Sequence, residues 1–182
     1  MGQNQRGNGR SRQGEATAHD RQVTLIVGLG MVAAAIACGR VANVHWVSLQ
    51  WVLVLFVAFD LGGGIASACM ASTLRSVRPQ GDPLRPLHNA VLHIHPLLLA
   101  LVVPDQDWTA MFLLHGAGAA GVAAAGLVPI SYRAGLALAW SAGAIALITA
   151  IGIVPGLAWL APTYLLKLVG SFAVLAPWEQ QS

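Results

Sequence analysis

Charge is what this sequence has least of: Asp, Glu, Lys and Arg make up 9% of its 182 residues, against 56% hydrophobic. So little charge cannot give a soluble domain of this size a polar surface, which excludes an ordinary water-soluble globule and points to an integral membrane protein. Cysteine is also scarce. Cys38 and Cys69 lie in apolar runs without CxxC spacing, which excludes a disulfide scaffold or zinc ribbon and leaves them as small packing residues. Neither HExxH nor HxxxH occurs, so the helical metalloenzyme signatures are missing. The basic residues have no interleaved aromatics on which bases could stack, so no nucleic-acid partner is expected.

What the chain does have is long apolar runs. Six can be delimited, at 23–43, 46–71, 87–103, 108–128, 134–154 and 157–175, each close to or above the ~20 residues that span a bilayer. The expected fold is all-α, an integral membrane bundle of six transmembrane helices forming one domain over 23–178. A disordered cytoplasmic tail, rich in Gly, Gln, Asn and Arg, is expected over 1–22. Segment 72–86, with three arginines and three prolines, is too broken to continue a helix, and 129–133 reads as a tight turn. Trp46 and Trp51 suit a membrane interface. Gly116, Gly118, Gly121 and Gly126 stand among alanines in the fourth run, so that helix is small on every face and expected at the centre.

Two motifs in the first run are decoys. Gly28, Gly30 and Ala33 have GxGxxA spacing, but no acidic residue follows about 20 positions on and the next element is another apolar run, unlike a dinucleotide site. Ala35, Ile36, Ala37 and Cys38 resemble the end of a lipoprotein signal. The long n-region and an alanine three residues before the cysteine oppose cleavage there.

Polar groups inside the runs carry the functional expectation, because ionisable side chains facing lipid cost several kcal/mol and turn inward or to a water-filled cavity. At a rise of ~1.5 Å per residue, Asp60 lies about 20 Å from the outer face and His93 and His95 about 10 Å from the inner one, so they share a level. Lys167 falls near the midplane and His115 somewhat above it. Asp60, His93, His95 and Lys167 therefore form the candidate site, a proton-exchanging or ligand-binding layer, with Asp60 expected within about 6 Å of a histidine or of Lys167. On a continuous helix His88 and His95 share one direction and Asn89 and His93 another. Asp60, Gly63, Gly64 and Ser67 form a small polar seam, and Thr163, Lys167 and Ser171 a stripe with Tyr164 beside it. Gly63, Gly64, Gly118 and Gly121 are expected at helix contacts. His88, His95 and His115 are the weaker metal candidates, His95 with His115 as a bis-histidine haem pair. Lys167 would repel a metal cation, which favours acid–base chemistry or an anionic ligand.

The function these residues fit best is proton-coupled transport or permeation of a small solute, with the lipid bilayer and possible further copies of the chain as partners. The alternatives are a membrane-embedded acid–base or metal-dependent enzyme acting on a lipid or isoprenoid substrate, and an assembly subunit in which Asp60 and Lys167 merely fix helix register. No cofactor is specified. The tail, the 72–86 segment and the 129–133 turn carry eight arginines, against Arg40 alone on the opposite side. This places both termini in the cytoplasm of a multi-pass protein of the inner membrane. Reporter tags at either terminus should accordingly read cytoplasmic, and one inserted after Asp105 the opposite compartment; an external N-terminus would reverse the orientation.

Overall fold

The computed structural model describes residues 17–70 and 85–172. Most of the expected tail (1–16), residue 71 with most of the 72–86 segment (to 84), and the chain after 172 lie outside the described residues. All secondary structure among the described residues is helical, and four helices are long and apolar enough to cross a membrane. These are α1 (Ala18–Val41), α2 (Ser48–Ala68), α5 (Trp108–Leu127) and α6 (Ile130–Ile151). The third and sixth runs are not continuous. The third divides into α3 (Arg85–Leu92) and α4 (His95–Val102). The sixth starts as a 3-10 turn (Pro155–Leu157), continues as α7 (Leu160–Leu165) and widens into a π-helical turn (Leu166–Gly170).

Local chemistry sets the helix ends. Thr17 Oγ1 accepts from the Asp20 N–H at 3.1 Å and Asp20 Oδ2 accepts from the Thr17 N–H at 3.0 Å. This reciprocal cap starts α1 at Ala18, so 18–22, placed in the tail by composition, are helical. At its far end Asn43 takes a left-handed φ of 52°. That lets the Val44 and Asn43 N–H groups return to Gly39 and Arg40 carbonyls at 3.0 and 3.1 Å, a Schellman closure. Gln50 accepts from the Val47 N–H and donates to the Val102 carbonyl, both at 2.9 Å, tying the start of α2 to the end of α4. Asp107 caps α5 through the Thr109 N–H at 2.7 Å. α6 begins at Ile130, so most of the expected 129–133 turn is helical, and Arg133 donates back to the Val128 carbonyl at 3.3 Å.

The third run breaks because of Pro96. Its ring has no N–H and would collide with the Leu92 carbonyl in an uninterrupted helix. The chain instead ends α3 at Leu92, and the Ile94 N–H turns back to Leu92 at 2.9 Å. A continuous helix over 87–103 is thus corrected to two eight-residue helices.

α1 and α2 form the most extensive interface. A Cβ on Gly62 would lie 2.7 Å from Met31 Cβ and 3.0 Å from the Val27 carbonyl oxygen, and one on Gly28 would lie 2.8 Å from the Phe59 ring. Small residues here let two backbones approach, the main source of adhesion between apolar helices in lipid. Gly118 and Gly121 meet Tyr164 and Trp140 in the same way, Gly63 meets Thr24, and nothing approaches Gly116 or Gly126. Trp46 does not face outward: it is 9% exposed, crosses Trp51 edge-on at 5.0 Å and rests on Gly156. The core gathers around the broken segments, with Leu61, Leu99, Leu114, Leu160, Tyr164 and Val169 buried, whereas α1 and α6 leave most of their surface uncovered.

Gly62→Leu should therefore destabilise the chain by about 1–3 kcal/mol, the usual cost of overpacking. Gly30→Leu, where nothing lies within 4 Å, should be close to neutral. Thermal unfolding of both variants in one detergent measures the difference.

Candidate functional site

The two broken segments meet on the middle of α2. Asp60 lies between Leu61, which is in the core, and Phe59, which packs on Gly28. The turn after it is Gly62, Gly63 and Gly64. A Cβ on Gly64 would lie 2.9 Å from Lys167 Cδ and 3.0 Å from its Nζ. The missing side chain is what lets the lysine cross α2 and reach the carboxylate. Lys167 Nζ donates to Asp60 Oδ2 and, at 3.2 Å, to the Asp60 carbonyl. Its place in the π-helical turn has a physical consequence: the extra residue shifts the side-chain register that a continuous α-helix would impose, and such turns concentrate at functional positions.

His95 approaches from the opposite broken segment. It is the first residue of α4, and its Nε2 lies 3.3 Å from the same Oδ2. One carboxylate oxygen thus faces an ammonium and an imidazole. With a proton on Nε2, towards the carboxylate, Nδ1 is left as an acceptor. That atom is buried and has no hydrogen-bond partner. A buried polar atom without a partner is uncommon, and ligand or proton exchange is one of the few reasons to keep one.

A second cluster holds the helix break. The Tyr164 hydroxyl donates to the His93 carbonyl at 2.8 Å, one of the groups that the break removes from the helical ladder. The tyrosine's single proton being committed there, His115 Nδ1, at 3.0 Å, must be the donor to the phenolic oxygen. Tyr164 is fully buried and fits against Gly118. Beside it Trp140 Nε1 donates to the Ala117 carbonyl at 2.9 Å and lies over Gly121.

Of the sequence-predicted site residues, the structure brings Asp60, His95 and Lys167 together. His93 is adjacent without touching the carboxylate: its ring crosses that of His95 at 5.6 Å, and its Nδ1 contacts the Asn89 carbonyl at 2.5 Å. The helical-wheel separation of His93 from His95 fails because the helix is interrupted between them. His88 and Asn89 are exposed on α3, and His115 serves Tyr164. His88, His95 and His115 do not converge, and among the described residues no three His, Cys, Asp or Glu side chains are grouped to hold a metal. The Thr163 hydroxyl is satisfied within its own helix by the Trp159 and Leu160 carbonyls. Sequence reasoning missed the central part played by Tyr164; its only advance signal was a phenol in an apolar run.

No family model, curated protein sequence or solved structure matches the chain significantly.

Tyr164→Phe leaves the His93 carbonyl without its donor and His115 Nδ1 without its acceptor. It should lower stability by about 1–3 kcal/mol, the cost of stranding buried polar groups. Tyr132→Phe, at a residue 67% exposed, should change unfolding in detergent little.

Proposed function

We propose that the chain is a multi-pass inner-membrane protein whose six apolar runs cross the bilayer with both termini cytoplasmic, and that it carries a small solute in exchange with protons. The Asp60, His95 and Lys167 layer is the exchanging site, with His93 beside it. The observation that carries the reading is that the ammonium of Lys167 and the imidazole of His95, each supplied by an interrupted helical segment, meet on Asp60 Oδ2. Interrupted helices inside a bilayer are tolerated where they line a cavity or build a midplane binding site, and transporters use them in that way. Three groups able to hold a proton surround one oxygen, the arrangement that a relay requires. The little-covered surfaces of α1 and α6 are available to lipid or to further copies of the chain. A bundle this small needs several copies if the pathway runs between subunits.

One feature favours an enzyme as the second reading. His95 has one nitrogen toward a carboxylate and the other without a partner, which is how a general base is oriented. A lipid or isoprenoid substrate entering from the bilayer would then meet Nδ1.

The test is proton movement. Vesicles reconstituted with the purified chain and loaded with a pH-sensitive dye should collapse an imposed pH gradient in the presence of solute. Asp60→Asn, which keeps shape and hydrogen bonding without the exchangeable proton, should behave like protein-free vesicles while inserting normally. Proton flux through Asp60→Asn equal to that of the parent chain would rule the relay out.

A further inference from the structure

The three site groups differ in accessibility, and that difference selects the solute. Asp60 keeps 41% of its side-chain exposure, against 15% for His95 and 10% for Lys167. The ammonium, which on sequence grounds favours an anionic ligand, sits against Gly64 and is spent on the Asp60 carboxylate and carbonyl. A solute reaching this layer meets the carboxylate first. An anion would find repulsion there and no accessible cation to offset it.

Among cations a metal ion fits poorly. No three His, Cys, Asp or Glu side chains are grouped to hold one among the described residues, and hard cations take six or more oxygen ligands. A charged nitrogen needs less: one carboxylate opposite its charge and acceptors for its N–H groups. Asp60 Oδ2 holds both protein partners, and among the described residues no group bonds Oδ1. His95, whose Nε2 meets Oδ2, keeps a buried and unpartnered Nδ1 on the same ring.

We propose that the solute is a small organic cation, an ammonium or guanidinium ion, which binds Asp60 in place of the Lys167 ammonium and exchanges one for one with a proton. This rests on the proton-exchange reading above. The stoichiometry follows from charge: the Asp60 carboxylate and Lys167 ammonium sum to zero with His95 neutral, so an added cation leaves one uncompensated positive charge among apolar helices. Neutrality returns when a Lys167 N–H bond breaks, its electron pair staying on nitrogen as a free amine and its proton leaving to water. The amine then no longer competes for Oδ2. Among the described residues, the other titratable groups on the elements packed around this layer are His93, edge-on to His95, and His115, held by Tyr164, whose own proton is committed to the His93 carbonyl. From α6 comes Arg133, which lies over the Phe172 ring one turn beyond.

Isothermal titration of the full chain in detergent micelles, with guanidinium chloride at sub-denaturing concentration, reads this directly. Repeating it in two buffers of different ionisation heat counts the protons. Saturable binding is expected with one proton released per cation, whereas sodium chloride and tetramethylammonium acetate, the latter supplying an anion with a counter-ion that has no N–H, give no comparable heat. Asp60→Asn should abolish binding. Lys167→Gln removes the ammonium that competes for Oδ2 and leaves the carboxylate in place, so it should still bind guanidinium and carries the test if Asp60→Asn fails to fold. Absence of binding to the parent chain, binding without proton release, equal response to sodium or to acetate, or loss of guanidinium binding in folded Lys167→Gln would each overturn the assignment. Cation-linked proton release without flux in vesicles would sink the permease reading and leave this inference standing; flux without cation binding would do the reverse.

Discussion

An aspartate in the middle of an apolar helix needs a partner, and the contact between Asp60 and Lys167 is the constraint around which the surrounding chain is arranged. Either group alone among hydrocarbon would be costly; together they are neutral, provided they touch. Touching has requirements. Gly64 has to lack a side chain, because the lysine stem lies where a Cβ would be. The seventh helix widens into a π-helical turn where Lys167 leaves it. Asp60 lends its own backbone carbonyl as a second acceptor.

The helix break at His93 and Ile94 belongs to the same arrangement. Pro96 forbids a continuous helix, and the break puts His95 at a helix start, where its ring reaches the carboxylate that Lys167 already holds. A break inside an apolar bundle exposes backbone carbonyls, and the Tyr164 hydroxyl meets that demand at His93. Tyr164 in turn is seated by Gly118 and oriented by His115. The two polar clusters therefore share one segment of backbone: moving the 93–94 linker would shift His95 against Asp60 and strain the tyrosine contact together. The coupling is through covalent geometry over two residues and needs no longer pathway.

The glycines divide by what faces them. Gly28, Gly62, Gly118 and Gly121 are each filled by a neighbour's side chain, and the resulting close approach does for apolar helices what burial does for a water-soluble core. Gly30, Gly116 and Gly126 have no neighbour within 4 Å. A glycine count alone therefore overstates the packing of α5, although several of its residues, including Met111, Leu114 and Val122, are buried.

By itself the sequence determined the all-helical class, four of the long apolar helices and the presence of Asp60, His95 and Lys167 as ionisable groups within apolar runs. Each of these follows from local composition, a fixed rise per residue and the cost of charge in hydrocarbon. It also contains Pro96, but the length of the apolar run does not tell a bent helix from a broken one. Only the tertiary structure decided the rest. Whether Pro96 bends a helix or breaks it depends on what satisfies the freed carbonyls, and the answer, Tyr164, comes from 71 positions further along the chain. Which histidine meets Asp60 depended on that break, since a helical wheel cannot be continued through it. Which partner of the ion pair stays accessible was decided by how Gly64 shelters the lysine, a relation between two helices that residue spacing within either one does not contain.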